Sequence, residues 1–64
     1  MPVGYYERVA EELKRLGYRF LRSGKGSHEI WRGPDGQQTT VPHNLKSRHT
    51  ANGILKSAKS DLRL

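Results

Sequence analysis

The stretch His28-Glu29-Ile30-Trp31-Arg32-Gly33-Pro34-Asp35-Gly36-Gln37-Gln38-Thr39-Thr40-Val41-Pro42, HEIWRGPDGQQTTVP, reads as strand, turn, strand. Gly33-Pro34-Asp35-Gly36 puts proline and glycine where a tight reversal needs a fixed φ and a residue without Cβ. Before the turn, His28–Arg32 carries Ile30 and Trp31; after it, Gln38–Pro42 carries the β-branched Thr39, Thr40 and Val41. Two short strands around a tight turn make an antiparallel pair. The remaining elements have to be arranged around that pair.

On the N-terminal side, Gly24-Lys25-Gly26 is a hairpin connection to a further strand, Tyr18 to Ser23. Tyr18 and Phe20 alternate there against Arg19 and are expected in the core, although Leu21 breaks the alternation. From Gly4 to Leu16 the residues Tyr6, Val9, Leu13 and Leu16 recur at helical spacing, with Ala10 beside them. Glu7, Glu11, Glu12 and Lys14 fill the opposite face, Tyr5 is expected at the surface, and Gly17 supplies the stop. On the C-terminal side, His43 to His49 is a polar connection. A helix follows, with Ala51, Ile54, Leu55, Ala58 and Leu62 on one stripe and Ser47 or Thr50 as N-cap. Gly53 within it costs about 1 kcal/mol relative to alanine.

The order α-β-β-β-α predicts an α+β fold, a three-stranded antiparallel meander with both helices on one face and the other face left to solvent or a partner. Double-stranded-RNA-binding domains share this element order. At 64 residues, one domain over residues 1–64 is expected, burying about 60% of the surface its unfolded chain exposes.

Charge narrows the partners. Twelve Lys and Arg face six Asp and Glu, a net charge of +6, and the pI is near 10.2. A small domain this basic carries the electrostatic footprint of a nucleic-acid binder. The acids Glu7, Glu11 and Glu12 cluster in the first helix, whereas Gly36 to Ser60 holds Lys46, Arg48, Lys56 and Lys59 and no acid. One side of the fold is therefore expected to be positive, with phosphate as its counterpart. The chain has no cysteine, which excludes disulfides, thiolate metal sites and a Cys nucleophile. The spacing of its histidines matches no zinc pattern, so no metal or cofactor is expected. No run approaches a membrane span and the N-terminus lacks a signal-peptide core, so a cytoplasmic protein is expected.

Several motifs, short singly but specific in their order, give the chain a resemblance to the HicA toxins. They are Leu16-Gly17-Tyr18 at the end of the first helix, Gly26-Ser27-His28 opening the second strand, and Pro34-Asp35-Gly36 in the turn. Val41-Pro42 then closes the third strand, and Gly53-Ile54-Leu55-Lys56 with Ala58 lies in the last helix. The resemblance runs from about Glu7 to Ala58. It implies a double-stranded-RNA-binding-like fold, cleavage of mRNA that halts translation, a HicB-like antitoxin as partner, and a catalytic histidine at His28. The free toxin is expected to be a monomer. Family members commonly carry a histidine two places after the proline that ends the third strand; here Asn44 stands there and His43 follows Pro42 directly.

The residues around His28 suit that chemistry on their own terms. RNA carries its own nucleophile, the 2′-hydroxyl, so cleavage needs a base, a cation and an acid rather than a metal. A histidine side chain ordinarily accepts and releases protons near neutral pH. Arg22 and Lys25 supply positive field, and Gly24 and Gly26 let backbone approach a phosphate. His43 is the second candidate, as general acid or phosphate contact. Ser27, Lys46 and Arg48 join it as RNA contacts, with Lys56 and Lys59, which resemble the phosphate-facing lysines of double-stranded-RNA-binding domains. The plainer reading makes His28 a polar residue at a strand opening, His43 and His49 surface residues, and Trp31 core rather than a stacking platform. Glu29 alternates onto the strand face opposite His28, which argues against a carboxylate mechanism. A non-catalytic RNA-binding module is the alternative from another class, and a domain that meets an acidic protein uses the same charge.

Overall fold

The computed structural model describes residues 4–64; Met1 to Val3, the start of the N-terminus read above for a signal peptide, lie outside them. The elements follow the expected order: α1 Tyr6–Arg15, β1 Arg19–Ser23, β2 His28–Arg32, β3 Gln38–Pro42 and α2 Arg48–Ser57. Strands β2 and β3 have the bounds read from the sequence. Between them Gly36 N–H donates to Gly33 O at 3.0 Å and Gly33 N–H to Gln37 O at 2.7 Å. The sheet is an antiparallel meander in the order β1-β2-β3.

Both helices end in the same backbone closure. After α1, Gly17 takes φ +95°, its N–H bonds Lys14 O at 3.0 Å, and Tyr18 N–H bonds Leu13 O at 2.8 Å. That is a Schellman motif, and it feeds Tyr18 into the core. After α2, Lys59 N–H bonds Lys56 O at 3.0 Å and Ser60 N–H bonds Leu55 O at 2.9 Å. Here the left-handed position is held by Lys59 at φ +63° rather than by glycine. Helix α2 begins at Ser47, whose Oγ accepts from Thr50 N–H at 3.2 Å.

Val9, Ala10 and Leu13 of α1 and Ala51, Ile54, Leu55 and Ala58 at α2 bury against Trp31 and Val41 of the sheet. The helices thus cover one face, and the fold is α+β with the double-stranded-RNA-binding-like element order. Leu45, in the connection expected to be polar, is also buried; its carbonyl accepts from Tyr5 N–H at 2.8 Å.

Some expectations are corrected. Phe20 lies opposite Trp31 on the helix side, edge-to-face at 6.3 Å, yet it is half exposed because β1 is an edge strand and exposed throughout. Glu12, assigned to the solvent face of α1, is buried. Ser60 Oγ donates to its Oε2 at 2.6 Å, and Arg15 donates to its two oxygens at 2.8 and 2.6 Å. Leu62, assigned to the stripe of α2, lies past the helix end and is exposed. Tyr5, expected at the surface, is half-buried at the start of α1 and packs against the core.

Candidate functional site

The alternation of β2 decides what each side of the sheet carries. Trp31 is buried beneath the helices, so Glu29 shares its side, while His28, Ile30 and Arg32 stand on the open face. Pairing adds Arg19 and Arg22 from β1, opposite Arg32 and Ile30, and Gln38, Thr40 and Pro42 from β3. Arg22 joins this face only because the register shifts between Phe20 and Arg22, leaving Leu21 as the extra residue of a bulge. Among the described residues the ion pairs are Arg15–Glu12 and His43–Glu29. Among the described residues no carboxylate therefore pairs with Arg19, Arg22, Arg32 or His28.

His28 is exposed at the hairpin end of the open face, opposite Pro42. On its other flank is Gly24, where a Cβ would stand 3.7 Å from His28 Cβ and 3.6 Å from Ile30 Cδ1. Glycine leaves that flank of the imidazole open. Beyond it Gly26 takes φ +67° with no atom near its missing Cβ, so the turn presents bare backbone.

On the helix side of the same end, Glu29 is a hub. Tyr6 Oη donates to its Oε1 at 2.6 Å, Trp31 Nε1 donates to Oε1 at 3.1 Å, and His43 Nδ1 lies 3.2 Å from Oε2. Burial pushes the Glu29 carboxyl up, but the bonds from Tyr6, Trp31 and His43 outweigh it and hold the group below its usual range. Burial first, and then the bond to Glu29, push the Tyr6 phenol up to about 12. An ionised carboxylate only accepts, so Nδ1 of His43 carries the proton and Nε2 is the nitrogen left outward. The His43 ring is tilted against Tyr6 at 4.6 Å, and its side chain remains 66% exposed. It is an oriented imidazole with one free nitrogen.

The two histidines therefore occupy one end of the sheet but opposite sides of it. Backbone joins them: His43 N–H donates to Ser27 O at 2.6 Å, and Ser27 Oγ donates to Asn44 Oδ1 at 3.1 Å. This end also gathers Arg22 and Lys25. Lys46 lies with Tyr5, Tyr6, Arg8 and His43 along a groove beside the start of α1, and Arg48 opens α2. Lys56 stands about 12 Å further along the helix axis, and Lys59 caps the helix beyond it, so these lysines are not brought to the histidines. No group of three metal-ligating side chains comes together among the described residues, and no helix is long and apolar enough to cross a membrane.

Sequence reasoning passed over Glu29, Arg19 and Arg32. Alternation puts Glu29 on the helix side of β2, opposite His28. The available signal was its position beside Trp31 on a buried side, where a carboxylate requires donors. Arg32 and Arg19 were legible from their alternation with Trp31 and Phe20.

A small basic α-β-β-β-α fold with exposed imidazoles at one sheet end defines the class. The family model of HicA toxins of bacterial toxin–antitoxin systems matches residues 6–60, and the chain belongs to that family. Neither a curated protein nor a solved structure matches the chain.

Proposed function

We propose that the chain is the ribonuclease toxin of a HicA–HicB pair, cleaving mRNA without a metal and with His28 as the essential acid–base. The observation that carries this reading is the placement of His28, exposed on the open sheet face between Gly24 and Pro42, in a chain of the HicA family. His28 takes the proton of a 2′-hydroxyl, whose oxygen attacks the adjacent phosphorus. The P–O5′ bond breaks and the departing 5′-oxygen takes a proton from a water or from Nε2 of His43 in its doubly protonated form, leaving a 2′,3′-cyclic phosphate and a 5′-hydroxyl. Arg22 and Lys25 steady the charge on the pentacoordinate phosphorane. His43, with Nε2 outward, serves as general acid or phosphate contact, and Ser27, Lys46 and Arg48 hold the strand nearby. A HicB-like antitoxin inhibits the toxin by covering this basic end.

Replacing His28 by alanine tests the reading. Cleavage of a messenger transcript falls about 10²- to 10⁴-fold, the range general acid–base catalysis supplies, and growth arrest on expression is lost while circular dichroism is unchanged. A chelator leaves wild-type cleavage as it was. Cleavage that survives the substitution in a folded protein assigns the chemistry elsewhere. A wild-type protein that binds RNA and never cuts it is instead a binding module, a reading that the unpaired arginines of the open face also support.

A further inference from the structure

Arg19 and Arg32 are direct cross-strand partners. Both are exposed, both lie on the open face, and no carboxylate among the described residues pairs with either. Like charges directly opposite in an antiparallel pair destabilise it. A third guanidinium, Arg22, reaches the same face through the bulge at Leu21; strict alternation from Arg19 would have turned it toward the helices. The fold thus carries a local repulsion and a register irregularity, and both concentrate cations on one surface. From Arg32 to His28 is four residues along β2, about 13 Å, and the floor between and beside them is Ile30, Gln38, Thr40 and Pro42. It holds no acid.

We propose that this open face is a track for the phosphate backbone of single-stranded RNA. Arg19 and Arg32 each hold one of two neighbouring phosphates, Arg22 meets the strand further along, and the scissile linkage arrives at His28. The proposal rests on the ribonuclease reading for the identity of the polyanion and adds where the strand lies. Guanidinium is the group suited to forked contacts with phosphate oxygens. The cores of protein–protein interfaces are depleted in charge and rich in aromatics, whereas this surface has unpaired arginines and half-buried Ile30 as its apolar centre. Polynucleotide fits it better than protein.

The test measures binding of a short fluorescent 2′-O-methyl oligoribonucleotide, which lacks the attacking hydroxyl, as a function of salt. Arg19→Gln/Arg32→Gln weakens binding roughly tenfold at low salt and lowers the slope of log K against log salt by about 1.4, two phosphate contacts at about 0.7 each for a single strand. Lys14→Gln/Arg63→Gln removes the same charge from exposed positions away from the track and stays within about twofold of wild type. The arginine variant also melts no lower than wild type, because a repulsion has been removed. Should the double variant fail to fold, Arg32→Gln alone carries the test, with a slope change of about 0.7. The proposal is overturned if the arginine variants keep wild-type affinity, as they would were the face reserved for an acidic protein. Equal losses in the Lys14/Arg63 pair overturn it too, because net charge alone then explains binding. Since the probe is not cut, a wild-type protein that binds through this face yet cleaves no RNA defeats the ribonuclease reading and leaves the track standing.

Discussion

Glu29 shows how much one carboxylate decides. It accepts from Tyr6, Trp31 and His43 together, and it thereby fixes which nitrogen of His43 points outward. Glutamine in its place is nearly isosteric but also donates, so it no longer dictates the tautomer. Glu29→Gln is therefore expected to lower kcat about tenfold with little change in KM, a smaller loss than His28→Ala, if His43 serves as the acid. Weakened charge-assisted bonds cost about 2 kcal/mol of stability as well. An NMR spectrum of the His43 ring separates positioning from structure: the Nδ1 proton signal disappears or shifts in the variant while the fold persists. An unchanged ring signal with unchanged kcat removes Glu29 from the mechanism.

At the scale of elements, α2 and its C-terminal closure hold two positions at odds with their backbone conformation. Gly53 is helical and exposed, and a Cβ there meets nothing within 4 Å. Lys59 holds a left-handed backbone at φ +63°. Gly53→Ala and Lys59→Gly are each expected to stabilise by about 1 kcal/mol, raising the melting temperature by about 4–8 °C for a domain of this size. Calorimetry of the singles and the pair checks this, and a lower melting point for Lys59→Gly refutes the cap. The cost of Gly53 was legible in the sequence, since it depends on the helix alone. The closure at Lys59 was not, because nothing local marks a lysine for left-handed geometry. The same division runs through the strands. Turn residues and alternation delimited β2 and β3, but the bulge in β1 depends on pairing with β2, and Leu21 appeared only as noise in the pattern.

Across the whole molecule, the contact that joins the two ends of the chain is Ser60 with Glu12, 48 residues apart. Periodicity puts Glu12 in solvent because its partner Ser60 comes after the last helix; a contact of this kind is tertiary, which periodicity does not encode. The bond from Arg15, then that from Ser60, pulls the Glu12 carboxyl from 4.5 down to about 2, against burial, which raises it. The folded value lies below the unfolded one, so this stabilisation is complete above about pH 4.5 and is lost as pH falls toward 2. Glu12→Gln is expected to melt lower than wild type at pH 7, with the gap closing between pH 4.5 and 2. Thermal melts across that range read the difference directly, and the other carboxylates, common to both proteins, cancel. A gap independent of pH dissociates Glu12 from acid sensitivity. The site was legible to a similar depth: His28 and its glycines came from contiguous residues, whereas the Glu29 hub needed α1, β2 and the loop after β3 brought together.

The extra residue in β1 has a consequence for ancestry. A relative of the same composition whose β1 ran through Leu21 as an unbroken pleat would turn Arg22 from the outer surface to the side beneath the helices, while the isoelectric point stayed where it was. Two such genes, identical in ionisable inventory, would differ in electrostatic geography, and no tally of their amino acids would tell them apart.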